Sequence, residues 1–179
     1  MVSTHRHPTP ALNRVTRTSA AVLLVFLLLL ALLQIVLAVL GAPGFLVGTG
    51  LLTLAFTPFI ALLLVATPPV TIDQSGLTIH VLLGQTYFVP WEGVRDIADY
   101  PLLPTPEAES GRKAMVGRRK YRPAAGKMLV IPTLPLPYRL TGLFVGRGLT
   151  GVIALTNRTH TDYEALIQQV ARYTGFQAD

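Results

Sequence analysis

Ala20–Leu40, AAVLLVFLLLLALLQIVLAVL, and Phe45–Ala66, FLVGTGLLTLAFTPFIALLLVA, decide the fold. The first run is 21 residues long and contains 16 Leu, Val, Ile or Phe. At about 1.5 Å per residue it reaches about 31 Å as a helix, the thickness of a bilayer's hydrocarbon core. Central apolar residues each favour insertion by roughly 0.3–0.6 kcal/mol, so the lone amide Gln34 does not reverse the sum. The second run is of similar length. No charged residue lies between Arg17 and Asp73, which predicts two membrane spans. A cleaved signal peptide is the rival reading of the first run, but that run exceeds the usual core of about 7–15 residues and a second span follows at once.

Working outward, Gly41-Ala42-Pro43-Gly44 makes a very short loop between the runs, and Thr67-Pro68-Pro69 ends the second. Pro58 interrupts the second span, where Thr57 can supply a hydrogen bond to a freed carbonyl. Gly44 and Gly48 are spaced for close helix packing, with Gly50 nearby, although Gly44 also serves the loop. Gln34 is a candidate hydrogen-bonding group toward the partner helix or a second copy. The spans hold no ionisable residue, which argues against a proton or ion pathway.

Arg6, Arg14 and Arg17 precede the first span without an acid, and positive charge favours the cytoplasmic side. Two crossings return the chain to that side. The expected localisation is therefore the plasma (inner) membrane, multi-pass, with both termini cytoplasmic. Net charge is +6, and the part beyond the second span carries twelve Lys and Arg against nine Asp and Glu. The chain has no cysteine, which excludes disulfides, thiolate zinc sites and cysteine nucleophiles.

Beyond the spans the pattern turns to β structure. Val70–Ile72 reads as a strand, Asp73–Gly76 as a turn, and Leu77–Val81 alternates as a half-buried strand does. Tyr87–Val89 begins a third strand, and Trp91, Val94 and Ile97 recur at intervals of three. Residues 101–127 break the pattern and read as a long mobile loop, acid-free from Gly111 onward. Met128–Ile131, Leu143–Val145 and Gly151–Leu155 are further strand candidates. Thr161-Asp162-Tyr163-Glu164 reads as a capping box opening a helix, with Tyr163, Leu166, Ile167 and Val170 on one face and Gly175 as its stop.

The basic residues Arg112, Lys113, Arg118, Arg119, Lys120, Arg122 and Lys127 are the candidate contacts for anionic lipid headgroups or an acidic protein partner. Each cation close to an anionic leaflet contributes about 1 kcal/mol at most. Tyr121 is the one aromatic residue among them, so single-strand stacking and nucleic acid are not expected. Trp91 reads as a packing residue, His80 as a surface or packed histidine, His160 as a loop residue, and Asp73 as a turn residue. Asp96 and Asp99 lack a partner base or a metal-binding pattern. No catalytic, cofactor or metal residue is assigned, and no enzyme activity is expected.

The stretch VTIDQSGLTIHVLLGQTYFVPWEGVRDI (residues 70–97) resembles small bacterial membrane proteins in which two transmembrane helices precede a pleckstrin-homology-like domain. The recurring strand, glycine-ended turn, second strand and PW-x-x-I/V element correspond here to Val70–Ile72, Asp73–Gly76, Leu77–Val81 and Pro90–Val94. TNRTHTDYEALIQQV (residues 156–170) is similar to the family's last strand and helix. The basic segment 101–127 and the prolines from 132 to 137 depart from that pattern. The resemblance implies an α+β membrane protein: a basic cytoplasmic tail over 1–18, a two-helix hairpin over 19–67, and a PH-like antiparallel β-barrel or sandwich with a C-terminal amphipathic helix over 70–179. It also implies a membrane-anchored binding or assembly module at the cytoplasmic face. The alternative is a small accessory subunit of a larger membrane protein complex.

Overall fold

The computed structural model describes residues 2–41, 44–81, 85–117, 119 and 121–176. It is an α+β chain in two compact units: Thr9–Val65, and Met1–Pro8 together with Ala66–Asp179. The first is therefore an insertion into the second.

The inserted unit is a helical hairpin of α1 (Pro10–Val39) and α2 (Phe45–Val65), both long and apolar enough to cross a membrane. Among its described residues only Ala20, Ala31, Gly50 and Leu64 are buried, and large side chains such as Phe26, Leu29, Leu33 and Leu52 stand more than half exposed. Gly50 marks the close approach: a Cβ there would meet Ile35 Cγ1 at 3.2 Å and the Ala31 carbonyl at 3.4 Å. Gly44 and Gly48, the pair singled out by spacing, have open space around them. Pro58 leaves the Leu54 carbonyl without its usual amide, and the Thr57 hydroxyl donates to that oxygen at 2.7 Å. Gln34 Oε1 lies 3.4 Å from Thr53 Oγ1, whose shorter bond of 2.8 Å goes to the Thr49 carbonyl. Arg17 reaches from α1 to donate to the Leu64 carbonyl, an orphan acceptor in the last turn of α2.

The second unit holds two antiparallel sheets. Strands β1 (Ser3–His5), β2 (Val70–Ile72), β3 (Gly76–His80) and β4 (Thr86–Pro90) form one in sequential order. Strands β5 (Asp96–Asp99), β6 (Gly126–Val130) and β7 (Val152–Thr156) form the other. Neither closes into a barrel among the described residues, so the barrel form of the expectation is replaced by two open sheets. In the first sheet Leu77 and Ile79 are buried while Thr78 and His80 are half-buried, the alternation read from sequence. In the second, β7 is buried along its whole length. Met128, Val130, Val152 and Ala154 share one cluster with Tyr100 and Val145. Alternation turns Leu129, Ile153 and Leu155 to the opposite face, where each is fully buried.

Four local readings change. Ser3–His5, read as part of a tail, is β1, paired Ser3↔Ile72, Thr4↔Thr71 and His5↔Val70. The segment read as a mobile loop contains the helix α3 (Ser110–Val116) and rejoins the sheet at Gly126. Leu143 and Phe144 end a helix, α4 (Leu136–Phe144), and are not in a strand. Prolines 135 and 137 made that region look like an irregular edge, yet proline suits a first helical turn, where its missing N–H is not needed. The last helix, α5 (Tyr163–Thr174), starts without the capping box. Thr161 is committed elsewhere: its amide donates to the Arg6 carbonyl at 2.9 Å and its hydroxyl accepts from the Arg6 amide at 3.3 Å. Asp162 instead takes the N-cap position with φ of 50°. Downstream the helix is as read, with Leu166, Ile167 and Val170 buried and Gly175 left-handed at φ of 73°.

Candidate functional site

A cleft of about 730 Å³ opens in the β-rich unit between α3, residues 121–122 and the first turn of α5. Arg112, on α3, lines it together with Arg122 and Arg158, and so do Asp162 and Glu164 at the start of α5. Pro8, the last residue before the hairpin unit, completes the rim.

Arg158 is held from two directions. Its Nη2 donates to Glu109 Oε2 and to the Arg122 carbonyl, each at 2.6 Å. Tyr121 donates its hydroxyl to the same Glu109 oxygen at 2.9 Å. The hydrogen bond from Arg158 holds the Glu109 carboxyl below its ordinary range against the opposing effect of desolvation. Glu109 is buried. The pair therefore ties the start of α3 to the β7–α5 turn and fixes the backbone at Arg122. Lys113 sits 5.6 Å from the centroid of the Tyr121 ring, a cation–π contact on the same support.

His160 forms the floor. It is 2% exposed, its Nδ1 accepts from the Thr156 amide at 3.2 Å, and its Nε2 lies 2.9 Å from the Pro68 carbonyl. An amide can only donate and a carbonyl can only accept, so the ring is neutral with its proton on Nε2. Burial pushes its pKa down from 6.5 to about 4. His5 is also buried, with Nδ1 2.8 Å from the Thr161 carbonyl.

The structure divides the seven basic residues read from sequence. Arg112 and Arg122 reach the cleft. Lys113 packs on Tyr121, and Arg119 is exposed. Lys127 lies on β6 and pairs with Asp99 at 3.0 Å. Arg118 and Lys120 fall outside the described residues. Asp96 pairs with Arg147 at 3.0 Å. Asp73 accepts from the Ser75 hydroxyl and the Ser75 and Gly76 amides, which serves its turn. Those bonds, the Ser75 hydroxyl first, hold its carboxyl low. His80 Nε2 lies 2.8 Å from Thr71 Oγ1. Trp91 is buried, donates to the Asp73 carbonyl at 3.1 Å, and stacks on Tyr173 at 5.3 Å. Among the described residues no group of three His, Cys, Asp or Glu is placed to hold a metal ion.

Sequence reading missed Arg158, Glu109 and His160 as members of one site. Glu109 and Arg158 are 49 residues apart and carry no local signal. Asp162 and Glu164 were visible only as part of a capping box. Comparison with protein-family models, with curated proteins and with solved structures gives no match.

Proposed function

We propose that this chain is a membrane-anchored binding module whose helical hairpin crosses the bilayer twice and whose β-rich unit, with both termini, lies at the cytoplasmic face. The observation that carries this reading is the pairing of β1 with β2. Those strands flank the hairpin in sequence, so both of its ends belong to one folded unit. A bilayer cannot pass through a β-ladder, and a pair of spans is the simplest insertion that returns the chain to the side it left. Exposure of the hairpin's leucines and phenylalanines supports lipid as their solvent, since a soluble core helix would bury them. Arg6, Arg14 and Arg17 before the first apolar run favour the cytoplasmic side.

Two antiparallel sheets followed by an amphipathic helix support a PH-like assignment in an open, two-sheet form. The role is binding, with the arginine cleft as the contact surface, and no catalytic step is assigned. Alkaline washing of membranes from expressing cells tests the anchor. Retention in the pellet is expected, and release into the wash would overturn it.

One observation favours a second reading, an accessory subunit of a larger membrane complex. Gly48 stands exposed on α2 with no atom within 4 Å of an added Cβ, a face small enough for another helix to approach. Cross-linking from a cysteine placed at Gly48 into a second membrane protein would support it, and recovery of a free monomer in mild detergent would count against it.

A further inference from the structure

We infer that the cleft takes a dipolar phosphoester, a ligand carrying a phosphate and an ammonium group, with the phosphate against Arg112 and Arg122 and the ammonium against Asp162 and Glu164. This rests on the anchored-module reading and adds the chemical class of the ligand.

The charges in the cleft are sorted by chain segment: the arginines come from α3 and the stretch after it, the acids from the start of α5. Arg158 is already neutralised by the buried Glu109, so it supports the Arg122 backbone and leaves Arg112 and Arg122 as the exposed cations. Asp162 and Glu164 are exposed acids of the same cleft. Among the described residues no ion pair within 4.0 Å joins these acids to Arg112 or Arg122. A purely anionic ligand would meet repulsion from the acids, and a purely cationic one from the arginines. A ligand with both charges satisfies the arginines and the acids together, and arginine forks suit phosphate oxygens. A volume of about 730 Å³ accommodates such a group.

Chain connectivity sets the local concentration of one source. Pro8 on the rim is two residues from the start of α1 at Pro10. His160 is bonded to Pro68, three residues beyond the end of α2 at Val65, which is at most about 10 Å of extended chain. An embedded hairpin therefore tethers the cleft within short reach of lipid headgroups, where phosphate and ammonium occur together in phosphatidylethanolamine. A water-soluble phosphoester offers the same chemistry from solution.

The test is calorimetric titration of the full chain in a phosphate-free nonionic detergent. The probes are glycerophosphoethanolamine, inorganic phosphate and ethanolamine. Saturable binding of glycerophosphoethanolamine, tighter than either fragment, is expected. Arg112→Gln with Arg122→Gln should weaken it about tenfold or more. Asp162→Asn with Glu164→Gln should weaken it by a similar factor while leaving inorganic phosphate unchanged or tighter. Asparagine tolerates the left-handed backbone at 162, so this variant keeps the turn. Trp91 fluorescence checks that each variant is folded. Absence of saturable binding by folded protein would overturn the inference, as would indifference to the acid substitutions. Competition by nanodiscs containing phosphatidylethanolamine, against discs of phosphatidylglycerol, which has the phosphate without the ammonium, identifies lipid as the source; binding without such competition identifies a soluble phosphoester. A chain that stays in washed membranes yet binds none of the probes sinks this inference and leaves the anchored module standing.

Discussion

Acidification should loosen the β-rich unit through His160. Its folded pKa is about 4 against an ordinary 6.5, because the ring is buried as the neutral species. The unfolded chain therefore binds this proton more readily, and stability falls as pH drops below 6.5 toward 4. At pH 7 the penalty is only about 0.2 kcal/mol; at pH 5 the unfolded imidazole is charged while the folded one is not, and it reaches about 2 kcal/mol. Below pH 4 it levels off near about 3 kcal/mol. The assay is denaturant unfolding in nonionic detergent followed by Trp91 fluorescence. Trp91 is the chain's one tryptophan, and it stacks on Tyr173 within the same unit, so it reports this unit. At roughly 4 °C per kcal/mol, the shift between pH 7 and pH 5 amounts to about 8 °C in Tm. The remaining histidines are controlled by His160→Gln, which is less stable at pH 7 but should lose about 2 kcal/mol less than the parent on going to pH 5. Equal losses in the two proteins would refute the buried neutral histidine and its bond to Pro68.

Three further outcomes follow from packing. Thr141 is fully buried on α4 and its hydroxyl has no partner among the described residues, so Thr141→Val should stabilise by about 1 kcal/mol in the same unfolding assay. Glu109→Ala strands the Arg158 guanidinium, whose Nε is already without a partner among the described residues, and should cost about 2 kcal/mol or more, whereas Asp99→Asn, at an exposed carboxylate, should cost under about 0.5 kcal/mol. Within the hairpin, Gly50→Leu forces Ile35 and the Ala31 backbone away and should cost about 1–3 kcal/mol, while Gly48→Leu meets open space and should cost little; far-UV circular dichroism across a dodecyl sulfate titration separates the two.

What the sequence disclosed depended on how local each signal was. The hairpin was legible because two long runs without a charge leave little but apolar helices to form, and Thr57 beside Pro58 could be assigned its bond from spacing alone. Strands β2 to β4 were legible because short turns join them and one face is buried. Strand β1 was not, since three residues have no periodicity and their partner lies beyond two helices. The capping box failed because Thr161 spends its polar groups on Arg6, a contact spanning 155 residues. The cleft was half legible: the basic run contained Arg112 and Arg122, but the pairing that fixes them, Glu109 with Arg158, arises only in the tertiary fold.

The account depends on both ends of the hairpin emerging on one side of a membrane. The chain has no cysteine, so single cysteines at Val2, Gly44 and Glu92 can be labelled in intact cells with a membrane-impermeant maleimide. All three positions are exposed. Labelling of the Gly44 site from outside, with the Val2 and Glu92 sites reacting only after permeabilisation, is the predicted result. Val2 and Glu92 reacting from opposite sides, or all three reacting alike in a soluble protein, would contradict it.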